Sequence, residues 1–343
     1  MLMKFISANE IKFAYLEQGE GPLVLLLHGF PDTAHTWSHQ MAPLAEAGYR
    51  VVAPFMRGYA PTEIPRNGYY DKATLVNDVV ALIGALGGGA PVHLVGQDWG
   101  AIAAYAVLAA YPDRVRRAVV MAVPHPAEVN KSLLLPKHVQ RSFHWWFFQL
   151  PHLPEKALAE NDFAFIDYLW DYWTSAGYRD AAHIDSIKHT LKQPGVLAAT
   201  LGYYRAMFDT QKMDPSLGAL RQAMERKISV PTLALCGADD LRAELMTDQQ
   251  QYFSGEYRFE LVPRAGHFLH REQPTAVTQL VVDWLGPPYP LRWPTLMLSG
   301  RGWGTGARRV PAASMALFAP QVGWGAPCQD ANRIAHCASP MCL

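Results

Sequence analysis

At 343 residues, half of them hydrophobic and 17% charged, with 30 acidic and 30 basic side chains, the chain can bury a sizeable core. It has no charge surplus to bring it to nucleic acid or an anionic membrane, which leaves small molecules as the expected partners. Its four cysteines, Cys236, Cys328, Cys337 and Cys342, have neither the spacing of a zinc site nor that of a disulfide framework. Residues 1–10 lack the apolar stretch of a secretory signal and no later segment offers about 18 consecutive apolar residues, so a cytoplasmic location is the default expectation. Oligomeric state is left open.

Ile11, Phe13 and Tyr15 alternate with polar neighbours, the pattern of a half-buried strand, and Leu23 to Leu27 is an apolar run ending at His28-Gly29, the pattern of a strand buried on both faces. Two further runs, Arg50 to Ala53 and Pro91 to Gly96, each end in a turn, and helical stretches follow at Thr74 to Leu86 and Ala101 to Tyr111. This alternation predicts a parallel sheet covered by helices. A strand over Ala118 to Val123 stops at Pro124-His125-Pro126. From 127 to 227 no comparable strand pattern occurs, but aromatics recur at helical spacing, as in Phe163, Phe165, Tyr168, Leu169, Tyr172 and Trp173. Strand patterns return at Pro231 to Cys236 and Tyr257 to Val262, and Thr275 to Leu285 reads as a closing helix. The expected organisation is an α/β core over 1–126 and 228–286, a helical insertion over 127–227, and an irregular tail over 287–343, rich in Pro, Gly and Arg.

The segment Val95-Gly96-Gln97-Asp98-Trp99-Gly100-Ala101 follows a strand and opens a helix, with glycines two before and two after Asp98. That is the spacing of a nucleophile elbow, a sharp strand-to-helix turn that lifts its central side chain above the sheet. Here the centre is a carboxylate, ionised near neutrality and able to attack an sp³ carbon without a base, giving an alkyl ester. The competing reading is that Asp98 merely caps the helix.

Folds built on such an elbow place the acid and then the histidine later in the chain. His267, in Gly266-His267-Phe268 after the last strand, is in that position and, when neutral, would activate the water that breaks the ester. The turn Gly237-Ala238-Asp239-Asp240 offers two acids, of which Asp240, three after the glycine, is favoured over Asp239. The other place for an acid, after Val123, holds only Pro124-His125-Pro126. His28-Gly29-Phe30-Pro31 ends an earlier strand, and the backbone N–H groups of Phe30 and Trp99 are the expected oxyanion donors.

Together, His28-Gly29-Phe30-Pro31-Asp32, Gly96-Gln97-Asp98-Trp99-Gly100 and Gly266 to Pro274 resemble the epoxide hydrolases of the α/β-hydrolase superfamily, over about Ile11 to Leu285. The resemblance implies an α/β-hydrolase fold with a helical cap, no cofactor and no metal, and two cap side chains that hold and protonate the epoxide oxygen. Tyr203-Tyr204-Arg205-Ala206 looks like the motif of one, pointing to Tyr204, and His144 in Phe143-His144-Trp145-Trp146-Phe147-Phe148 stands where the other is expected. Such a His/Tyr pair is similar to a minority branch of epoxide hydrolases and to haloacetate dehalogenases. Both residues also suit the bland role of buried cap residues.

Haloalkane dehalogenases share the Asp-Trp pair at 98 and 99 but place a second halide donor elsewhere, and Phe30 has no side-chain donor. Haloacetate dehalogenases hold a carboxylate with arginines just after the nucleophile, where this chain has Trp99 and Ala101 or Ile102. A small uncharged epoxide, attacked with water as co-substrate and lined by Trp99, Trp145, Phe147 and Phe148, is therefore the expected substrate. A hydrolase-fold binding protein without turnover is the remote alternative; loss of the nucleophile, base or acid would support it, and no such loss is visible.

Overall fold

The structure, a computed structural model, describes residues 2–288. Eight strands form one sheet: β1 (Leu2–Ala8), β2 (Ile11–Gln18), β3 (Leu23–Leu27), β4 (Arg50–Pro54), β5 (Val92–Gln97), β6 (Val115–Met121), β7 (Thr232–Gly237) and β8 (Tyr257–Val262). Their order across the sheet is β1-β2-β4-β3-β5-β6-β7-β8. β1 and β2 pair antiparallel and β2 joins β4 antiparallel, whereas every pairing from β4 to β8 is parallel.

Burial follows position in the sheet. The runs Leu23–Leu27, Val92–Gln97 and Thr232–Gly237 are buried at every residue, as central parallel strands covered on both faces must be. Strand β1, at the edge, leaves Leu2 and Phe5 exposed. The helices α1 (Ser38–Glu46), α2 (Lys72–Gly87) and α3 (Trp99–Ala110) follow β3, β4 and β5. Helix α3, sequence WGAIAAYAVLAA, is almost wholly buried, and its small alanines let it pack closely against the sheet.

Between β6 and β7 lies the insertion: α4 (Pro126–Ser132), α5 (Pro136–Arg141), α6 (Phe143–Phe147), α7 (Leu153–Ala159), α8 (Ala164–Trp173), α9 (Ala181–Leu191), α10 (Val196–Phe208) and α11 (Gly218–Ala223). Helix α8 shows why it forms: Ile166, Leu169, Trp170 and Trp173 share one buried face at three- and four-residue spacing. Trp170 stacks on Phe268 with ring centroids 3.7 Å apart and its indole N–H donates to the Pro31 carbonyl, so the insertion packs on the loops above the sheet. His183 of α9 adds a buried contact to Asp32 at 2.8 Å. Two helices, α12 (Leu269–Glu272) and α13 (Pro274–Leu285), close the described chain.

The expected strands lie where the sequence placed them within a few residues, but β1 carries no sequence signal and was not expected. Beyond residue 288 the expected irregular tail lies outside the described residues. Among the described residues no helix is long and apolar enough to cross a membrane. The sheet order sets β3, β5, β7 and β8 on one side-by-side run with β6, so the loops leaving their carboxyl ends converge.

Candidate active site

Asp98 leaves β5 with φ 52° and ψ −120°, a left-handed conformation that a non-glycine residue holds only at a cost of about 1–3 kcal/mol. The flanking glycines make that turn possible. A Cβ on Gly96 would sit 2.3 Å from the Gly100 carbonyl oxygen, and one on Gly100 would sit 2.1 Å from that of Leu27. Asp98 occupies the N-cap position of α3, yet its carboxylate makes no capping bond. Oδ1 instead accepts from the backbone N–H of Phe30 at 2.8 Å, and Oδ2 lies 3.4 Å from Nε2 of His267.

The imidazole of His267 is held by its backbone as well as its ring. Its N–H donates to the Trp173 carbonyl at 2.8 Å, and its own carbonyl accepts from Gln97 Nε2 at 3.2 Å. Glu272, which the sequence reading did not single out, accepts the backbone N–H groups on either side, from Gly266 at 2.9 Å and Phe268 at 3.0 Å, and also Ser175 of the insertion. The ring's Nδ1 stands 3.0 Å from Oδ2 of Asp240, whose Oδ1 accepts the Arg242 backbone N–H. Of the two acids in that turn, Asp240 is buried and reaches the imidazole, whereas Asp239 is exposed. Burial disfavours the imidazolium, but hydrogen bonds to Asp240 and Asp98 outweigh it and push the His267 pKa up to about 9.

From the insertion, α6 and α10 bring His144 and Tyr204 together, with ring centroids 5.5 Å apart and both residues buried. Tyr204 packs edge-on to Phe30 at 5.3 Å and Trp99 at 5.3 Å, directly over the elbow. Burial and then the Asp98 charge hold its phenol pKa well above the ordinary value, so it stays protonated as a donor. His144 is held well below its ordinary pKa, first by burial and then by the Arg242 and His267 charges, so its ring is neutral; its Nδ1 has no partner.

A cavity of about 170 Å³ opens over Asp98. Trp99, Ile102, Val123, Trp145, Tyr204 and Met207 are among its walls, and Lys72, Asn130 and Arg242 also face it. Of the aromatic run expected to line the substrate, Trp145 is among the walls of this cavity, whereas Phe147 and Phe148 do not line it. Phe147 stacks on Phe165 at 5.8 Å, and Phe148 is fully buried between Phe30 and Tyr204. Consecutive residues on a helix project about 100° apart, so a run of four cannot share one wall. Arg242 was also missed, although it stands only two residues after Asp240.

Residues 22–274 match the α/β-hydrolase fold family. The chain is 30% identical to the AB hydrolase superfamily protein YfhM of Bacillus subtilis over 82% of its own length and 97% of that protein. To human epoxide hydrolase 4 the identity is 30%, over 82% of this chain and 77% of that protein. Among solved structures, epoxide hydrolase A of Mycobacterium thermoresistibile superposes with a TM-score of 0.70 at 26% identity, over 83% of this chain and 98% of that one. With its fold, its carboxylate elbow and these relatives together, the chain belongs to the epoxide hydrolase family of the α/β-hydrolase superfamily.

Proposed function

We propose that the protein converts an epoxide to a vicinal diol through a covalent ester on Asp98. The observation that carries this reading is the division of labour between the two carboxylate oxygens: Oδ1 is fastened to the Phe30 N–H while Oδ2 lies by the imidazole, in the cavity floor. Oδ2 attacks an oxirane carbon and the ring C–O bond breaks. The departing oxygen takes its proton from the Tyr204 hydroxyl, with His144 as a second, neutral donor.

Esterification removes one of the two negative charges that raise the His267 pKa. The imidazolium therefore releases its proton to solvent, regaining one when Asp98 is again a carboxylate, and the neutral ring then accepts a proton from water. The hydroxide adds to the ester carbonyl carbon, and charge building on Oδ1 meets the N–H groups of Phe30 and Trp99. Collapse breaks the acyl C–O bond; the released oxygen takes the proton back from His267, and the proton left on the new Asp98 carboxyl restores the Tyr204 phenol. Asp240 holds the imidazole in orientation throughout. Cofactor and metal have no part in this sequence.

The test is His267→Gln exposed to an excess of a simple terminal epoxide. Intact mass should show one covalent adduct per chain while diol release falls by about a thousandfold or more. Unmodified protein with undiminished diol production would remove the two-step scheme. Halide release from a haloalkane or haloacetate without diol from any epoxide would reassign the same nucleophile to dehalogenation.

A further inference from the structure

Four arginine or lysine side chains are buried among the described residues, and three have carboxylate partners: Arg57 with Asp78, Lys188 with Asp167 and Arg271 with Asp180. The fourth, Arg242, does not. It is 7% exposed, its Nη2 donates to Ser142 Oγ at 2.8 Å, and its guanidinium lies 4.9 Å from the Trp145 ring centroid. Its Nε and Nη1 hydrogen-bond to no described residue. The nearby Asp240 carboxylate is committed, through Oδ1 to a backbone N–H and through Oδ2 to His267. Burying an ion is costly unless an opposite charge meets it, and Arg242 lines the cavity that Asp98 floors.

A second observation agrees. Lys72, also facing the cavity, has no ion-pair partner among the described residues, and the adjoining hollow that shares Lys72 and Asn130 adds Arg226 and Lys227 against a single Glu225. Asp98, the cavity's one carboxylate, is already matched by His267. The lining thus carries a positive surplus, although the whole chain is neutral.

We propose that the substrate is an epoxide bearing a carboxylate a short spacer from the ring, with the carboxylate held by the Arg242 guanidinium and the approach favoured by Lys72. The proposal rests on the epoxide reading and revises the expectation of an uncharged substrate. A guanidinium offers its parallel N–H donors in two pairs, Nε with one Nη2 hydrogen and Nη1 with the other, and Ser142 takes only one of the two Nη2 hydrogens, so one pair remains to take a carboxylate in bidentate fashion. Anchoring there would fix the oxirane relative to Oδ2 of Asp98, so the anion acts on positioning and leaves the ring-opening chemistry to Tyr204 and His144.

The measurement is kcat/KM for diol formation from two matched terminal epoxides, one ending in a carboxylate two methylenes from the ring and the other in the primary amide. The wild-type protein should prefer the carboxylate by at least about tenfold, equivalent to about 1.4 kcal/mol. Arg242→Gln should collapse that ratio toward unity, chiefly through KM of the carboxylate, and Arg242→Lys should recover part of it. Equal turnover of both compounds by wild type, a preference for the amide, or a ratio unchanged in Arg242→Gln would each overturn the proposal. The wild-type comparison stands even if a variant fails to fold. Diol from neither compound, with no adduct in His267→Gln, would instead bring down the epoxide reading itself.

Discussion

The elbow and the helical insertion face each other across one cavity but are specified by different physics. At the elbow, backbone sterics leave almost no freedom: two missing Cβ atoms and one strained φ fix where the Asp98 carboxylate stands. In the insertion, side chains decide. Phe143, Phe147, Phe165, Tyr168 and Tyr172 pack ring on ring, and Leu134 and Leu135 remain exposed. In the proposed mechanism, attack and ester hydrolysis thus draw on groups held by the sheet, whereas donation to the opening ring and recognition draw on groups held by aromatic packing.

Three experiments probe that contrast. The largest effect is expected at the elbow: Gly100→Ala forces a methyl against the Leu27 carbonyl, and should destabilise by about 3 kcal/mol or more, read as a fall of several degrees in Tm with loss of both half-reactions. Full activity in a variant of unchanged Tm would show that the turn is not sterically fixed. Next, Tyr204→Phe removes a donor from the insertion side only. Alkylation of Asp98 in rapid-mixing experiments should slow by about a hundredfold while hydrolysis of a preformed ester changes little. The reverse pattern would move Tyr204 out of ring opening.

The smallest effect concerns pH. His267 has a folded pKa of about 9 against an ordinary 6.5, so its contribution to stability is fully present below pH 6.5 and is lost as pH rises through 9. Chemical denaturation across that window should show wild-type stability declining, and His267→Gln should flatten the decline. Parallel curves would mean that Asp98 and Asp240 do not sustain the imidazolium in the resting protein.

The same contrast governs how much of the molecule is legible in its sequence. Asp98, His267 and Asp240 stood out because each follows a strand at a spacing that backbone geometry enforces, and the buried strands announced themselves as unbroken apolar runs. Strand β1 did not, since an edge strand with exposed Leu2 and Phe5 and a single pairing partner has no alternation to display. Phe147 and Phe148 misled because composition says that aromatics cluster without saying which way each ring faces. Glu272 and Arg242 were silent for a related reason. A charged side chain is as ordinary in a turn as on a surface, and only burial with or without a partner distinguishes a structural carboxylate from an unmatched cation.

Glu272 carries a last implication. The same carboxylate grips the main chain on both sides of His267 and Ser175 in the helical insertion. On that flank one carboxylate ties the insertion to the loop that carries the imidazole, so a displacement of either is transmitted to the other.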